Sequence, residues 1–125
     1  MNTIGYFEIQ SSQPSREVVF YQSVFGWKFI RDPQIPIVYY RIETSGISGG
    51  LLERPVAVPP GMSGTNAFTC SIEVADFDAT AEKIAIAGGT VAMPKFAIPG
   101  LCWQGYFSDP DNNVFGIFQP DPGAR

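Results

Sequence analysis

Eleven prolines and thirteen glycines divide this 125-residue chain so finely that long helices have little room. The pieces between the breaks follow one order, and that order occurs twice. The first half opens on a strand pattern at residues 4–10. Residues 11–14 then supply helix-start chemistry, with Pro14 suited to the first helical position because its missing N–H is unpaired there anyway. Val18, Tyr21 and Phe25 recur at helical spacing, while Arg16, Glu17, Gln22 and Ser23 supply the wet face. Gly26 ends the helix, since it accepts the left-handed conformation. Strand-like pieces follow at 27–30, 37–42 and 49–52. In the second half, residues 69–74 read as a strand and Asp76 as an N-cap. Phe77, Ala81, Ile84 and Ala85 form the apolar helical face, and Gly88-Gly89 stops it. Strand-like pieces then run at 90–93, 102–107 and 114–118, with strong turn chemistry at 109–113 between the last two. The loop at 53–64 links the halves. This predicts an α+β fold of two β-α-β-β-β modules in a single domain over residues 1–125. Module one covers about 1–55, a linker about 55–65, and module two about 66–120. The alternative is an α+β domain whose halves look alike by chance.

Composition narrows the function. Eight basic residues against twelve acidic ones give a net charge of −4. No basic stripe is available to neutralise phosphates, so nucleic acid is not an expected partner. No apolar run approaches the ~20 residues of a membrane span. The N-terminal residues lack the basic and apolar regions of a signal peptide, so the expected setting is cytoplasmic. The two cysteines, Cys70 and Cys102, read as reduced, buried thiols rather than a disulfide framework. The chain contains no histidine, which closes every mechanism built on a His base, a His-zinc site or a Ser-His pair.

Several segments resemble the vicinal oxygen chelate superfamily, which includes glyoxalase I, the bleomycin resistance proteins and the extradiol dioxygenases. They are Phe7-Glu8-Ile9, Phe20-Tyr21-Gln22-Ser23-Val24-Phe25-Gly26-Trp27, Gly49-Gly50-Leu51, Val74-Ala75-Asp76, Gly88-Gly89, and the run from Phe107 through Asp109-Pro110 to Gly116. The resemblance implies that each module curls into half of an open barrel. The paired modules would enclose a cavity with a divalent metal at its base in the members that are enzymes. Counting from the nearest motif places the four metal-ligand positions on Tyr6, Leu51, Thr69 and Gly116. None of these is a good ligand for Zn, Ni, Fe or Mn. The expectation is therefore no metal and no cofactor. A homodimer is also implied by the resemblance.

Strand alternation places Glu8 and Glu73 on the same face as Tyr6 and Thr69, toward that cavity, at nearly equivalent places in the two halves. Glu53 joins them if its strand continues from Leu51. As a pair the glutamates are candidates for a general base or an oxygen-rich cation site; otherwise each simply meets an arginine or water. Tyr6, Phe68, Trp103, Tyr106 and Phe118 fall on or near the strands that line the cavity and suit a flat or apolar molecule, with core packing as the competing explanation. Trp27 reads as an anchor under the first helix. The apolar run 96–101 is either a lid at the cavity mouth or a hairpin connection. The leading expectation is a metal-independent binding protein for a small organic ligand, with Tyr6, Glu8, Thr69, Glu73, Trp103, Tyr106 and Phe118 around it. The alternatives are an enzyme of lyase, isomerase or dioxygenase type using Glu8 and Glu73, and an interaction module without a cavity function.

Overall fold

A computed structural model describes residues 1, 3–61 and 69–125, in two compact units, Met1–Val58 and Pro59–Arg125. Both units have the β-α-β-β-β order expected from the sequence. Phe68 and part of the linking loop lie outside the described residues.

The first unit contains β1 (Phe7–Ser11), α1 (Pro14–Phe25), β2 (Lys28–Arg31), β3 (Tyr39–Glu43) and β4 (Gly49–Glu53). Its sheet order is β1-β4-β3-β2, with β1 and β4 parallel and the other pairs antiparallel. Parallel neighbours cannot be joined by a tight turn, so the chain crosses the sheet through α1 before β2 and β3 return it to β4. Pro14 lies in the first turn of α1, and Gly26 ends the helix at φ 71° with its N–H donating to the Gln22 carbonyl. Phe20, Tyr21 and Val24 are buried. Trp27 stacks on Tyr21 at 5.5 Å and on Phe25 at 5.2 Å, and meets Phe7 at 5.6 Å, so it anchors the helix as expected.

Glu17 departs from the sequence reading. Helical spacing puts it on the wet face, yet it is fully buried. Ser11 Oγ donates to its carboxylate and Arg16 Nε to Oε1 at 2.7 Å. Paired and hydrogen-bonded, a carboxylate can sit in a core. Apolar periodicity is blind to that arrangement.

The second unit contains β5 (Ser71–Glu73), α2 (Phe77–Ile86), β6 (Thr90–Ile98), β7 (Cys102–Ser108) and β8 (Val114–Pro120), in sheet order β5-β8-β7-β6. Here β5 and β8 are the parallel pair. Asp76 caps α2 by accepting from the Ala79 N–H at 3.0 Å, an interaction worth about 1 kcal/mol. Phe77 and Ile84 are buried beneath the helix. The β7–β8 turn is built on Asp109, whose carboxylate accepts from the N–H groups of Asp111 and Asn113 and from Asn113 Nδ2.

Strand β6 is longer than its sequence suggests. It continues through Pro94 to Ile98, pairing Phe96, Ala97 and Ile98 with Gln104, Trp103 and Cys102 across two register shifts. Residues 96–98 are therefore strand rather than lid, and a short turn joins β6 to β7. Proline is tolerated because, among the described residues, β6 is a rim strand with β7 as its one neighbour. No helix among the described residues is long and apolar enough to cross a membrane.

Candidate functional site

Each sheet has one face under its helix and one turned away from it, and alternation sorts the candidate residues between them. In the first unit Phe7 packs on Trp27, so Phe7, Ile9, Gly49 and Leu51 face the helix. Glu8 and its register partner Gly50 face the other way, as do Tyr39 and Arg41.

On that open face the Tyr39 hydroxyl donates to Glu8 Oε2 at 2.9 Å and lies 2.8 Å from the Tyr6 hydroxyl. A side chain at position 50 would collide with the Tyr39 hydroxyl and ring, so Gly50 gives the phenol its place against the sheet. Tyr39 is buried, while Tyr6 and Glu8 are exposed. Burial and the hydrogen bonds to Tyr6 and Glu8 hold the Tyr39 phenol well above the ordinary range. Arg41 lies 5.7 Å over the Tyr39 ring and bonds Asp32, with Nη2 at 3.1 Å and Nε at 3.2 Å.

In the second unit Phe77 packs on Phe107 and Phe107 on Phe115, which puts Gly105, Phe107, Phe115 and Ile117 under the helix. The open face carries Ser71, Glu73, Gln104, Tyr106, Gly116 and Phe118. Gln104 Nε2 donates to Ser71 Oγ at 3.1 Å, and Tyr106 stacks on Phe96 at 6.4 Å. A side chain at position 116 would meet Ser71, Gln104 and Tyr106. A central glycine overlaid by polar side chains thus occurs on both sheets.

The structure keeps Tyr6 with Glu8, and it places Glu73, Tyr106 and Phe118 on one face. Thr69 precedes β5 and is half-buried. Trp103 is separated from that group, because it shares the helix-facing side with Gly105 and Phe107. Its indole N–H donates to Asp121 Oδ2 at 2.9 Å, and Lys95 Nζ lies 4.8 Å over its ring while pairing with Asp78. Glu53 shares its face with Leu51, opposite Glu8. The register also shifts the expected equivalence of the two glutamates. Glu8 pairs with Gly50 and Ser71 with Gly116, so Ser71 is the counterpart of Glu8, and Gln10 that of Glu73. Cys70 is exposed and Cys102 half-buried, a correction to the buried thiols expected. Cys70 adjoins β5, a rim strand with a neighbour on one side only.

Tyr39 and Arg41 were not picked out as site residues. In sequence, Tyr39-Tyr40-Arg41-Ile42 does not reveal which tyrosine faces the core, and only the pairing with β4 settles it.

The four counted positions do not fit a divalent metal. Leu51 is fully buried under α1, and Gly116 offers no donor in a space filled by three other side chains. Tyr6 is tied to Tyr39. Among the described residues no group of three His, Cys, Asp or Glu could hold a metal ion.

The model of the Glyoxalase/Bleomycin resistance protein/Dioxygenase superfamily matches residues 3–117. The chain is 29% identical over 121 residues to proteins called "Putative glyoxylase CFP32" from Mycobacterium bovis and Mycobacterium tuberculosis. That match covers 94% of this chain but only 45% of those relatives, so the chain spans about half their length. Among solved structures, the fosfomycin resistance protein FosX from Listeria monocytogenes superposes with a TM-score of 0.77 at 14% identity, covering 97% of this chain and 93% of that one. A glyoxalase/bleomycin resistance protein/dioxygenase family enzyme from Burkholderia phytofirmans PsJN gives 0.74 at 20% identity, covering 94% and 98%. At these identities the structural likeness speaks for the fold alone.

Proposed function

The chain belongs to the Glyoxalase/Bleomycin resistance protein/Dioxygenase superfamily, and from that premise we propose that it binds a small organic molecule without a metal ion. The observation that carries this reading is the hydrogen-bond chain Tyr6–Tyr39–Glu8. It occupies the place where the family resemblance puts the first metal ligand, and it leaves an aromatic, partly polar surface. On the second unit, Tyr106 stacked on Phe96 beside Phe118 offers flat apolar area, with Gln104 and Ser71 as polar contacts. The relatives' name, glyoxylase, makes turnover the competing reading, with Glu8 and Glu73 as its residues. Glu8 has an oriented partner in Tyr39. A homodimer in the cytoplasm belongs to the same proposal, with light scattering of the purified chain as its check.

Dialysis against mixed Zn, Ni, Mn and Fe, followed by elemental analysis, tests the metal half of the proposal. Less than about a tenth of an equivalent is expected to remain, because a site without histidine or clustered donors has little affinity for these ions. Thermal shift against a library of small organic molecules, with and without EDTA, tests the other half. A ligand at a hundredfold excess over its Kd stabilises the fold by about 2.7 kcal/mol, and EDTA should leave that gain unchanged. One bound metal per chain, or a ligand response abolished by EDTA, overturns the reading.

A further inference from the structure

We propose that the open face of the first unit takes a positively charged nitrogen, so that the ligand is an organic cation carrying N–H donors: an amine, amidine or guanidine. This deepens the small-molecule reading above and rests on it. The argument starts from how many protons the three side chains hold. Tyr39 has one hydroxyl proton, and it is donated to Glu8 Oε2 at 2.9 Å. The Tyr39 oxygen can then only accept from Tyr6, 2.8 Å away, so the Tyr6 proton is used as well. What remains to meet a ligand is acceptor capacity alone, namely the lone pairs of Tyr6 Oη and the second oxygen of Glu8.

The charge balance points the same way. Among the described residues no lysine or arginine forms a salt bridge with Glu8. Arg41 is the cation beside it in the sheet, since its register partner Gly50 is also the partner of Glu8. However, its Nη2 and Nε are turned to Asp32, at 3.1 and 3.2 Å. Glu8 therefore carries a negative charge with no cation of its own, on an exposed strand position, with one oxygen held by Tyr39 and the other available. An anionic ligand meets repulsion here and finds no donor in the chain of hydroxyls. An uncharged donor gains a hydrogen bond but no attraction between opposite charges. A cation gains charge-assisted hydrogen bonds to Glu8 and Tyr6, together with the exposed ring of Tyr6 as a cation–π surface.

Three probes that share one flat ring separate these cases: tryptamine, 3-methylindole and indole-3-acetate, positive, neutral and negative in turn. Calorimetric or NMR titration of the full chain should show tryptamine binding about tenfold more tightly than 3-methylindole, the size expected of one charge-assisted hydrogen bond, with indole-3-acetate weakest. Glu8→Gln keeps a carbonyl acceptor for Tyr39 and removes the charge, so it should bring tryptamine level with 3-methylindole. Tyr6→Phe should reduce the preference part of the way and serves as the second variant should Glu8→Gln misfold. Equal binding of the three probes, a preference for indole-3-acetate, or a tryptamine advantage that survives Glu8→Gln overturns the cation assignment and leaves small-molecule binding standing. If tryptamine does not bind at millimolar concentration, the cation assignment also fails. The library screen then decides separately whether small-molecule binding falls with it.

Discussion

The two sheets share a central glycine on the open face and differ in what covers it. Over Gly50 lies the Tyr39 phenol, bonded to a carboxylate on one side and a second phenol on the other. Over Gly116 lie an amide, a hydroxyl and a ring, with Ser71 where the first unit has Glu8. One backbone plan thus sets a carboxylate and two phenols around the glycine in the first unit, and an amide, a hydroxyl and a ring around it in the second. A glycine at that position imposes no chemistry. It makes room, and the side chain brought over it sets the character of the face.

If that parallel is real, the buried residue next to each glycine should matter equally. Leu51 and Ile117 are both fully buried and occupy matching register positions. Leu51→Ala and Ile117→Ala should each cost about 2–5 kcal/mol in urea unfolding. A loss confined to one of them would break the equivalence of the units.

The glycines themselves come next. Gly50→Ala forces the Tyr39 ring away and should cost about 1–3 kcal/mol, while Gly116→Ala meets the movable ends of Gln104 and Ser71 as well as the Tyr106 ring, and should cost less. Calorimetric melting of the two variants orders them, and the reverse order would sink the account of Tyr39 as the stiffer cover.

Tyr39→Phe removes one hydroxyl and leaves Glu8 and Tyr6 without their shared partner, at an expected cost of about 1–2 kcal/mol near neutral pH. Its pH signature is specific. The native phenol binds its proton more tightly than the unfolded one, so its contribution is complete below about pH 10 and declines as pH rises beyond that. Ultraviolet titration should show a late-ionising phenol that is absent from Tyr39→Phe.

The smallest expected effect lies in the second unit and on the acid side. The Gly123 N–H and the Trp103 indole hold the Asp121 carboxyl below its usual value. A depressed carboxylate stabilises the fold above its unfolded pKa and loses that contribution as pH falls through the native one. Asp121→Asn should therefore flatten the acid limb of a melting-temperature profile without touching the alkaline limb.

The features legible in the sequence were those enforced locally. Gly26 as a stop, Asp76 as a cap and the turn on Asp109 each need only their near neighbours, and the β-α-β-β-β order follows from such punctuation. What escaped depends on contacts across strands. Glu17 reads as a surface residue until Ser11 and Arg16 are seen to satisfy it. Trp103 and Tyr106 stand three residues apart in β7, an odd spacing that strand alternation sends to opposite faces. Glu53 was joined to Glu8 by counting from Leu51, and Leu51 turned out to point under the helix. Of the proposed site, Tyr6 and Glu8 were recognisable as residues, but the phenol that links them comes from β3, 31 positions after Glu8.

The strand pattern at 90–93 stops short of Pro94, yet β6 runs through that proline to Ile98. Among the described residues this nine-residue strand has a neighbour on one side only, and with Val91 and Met93 exposed its free side is a template onto which a strand from another molecule can add. The two register shifts on either side of Met93 interrupt the spacing of that row. An irregular row of this kind works against edge-to-edge pairing of folded molecules.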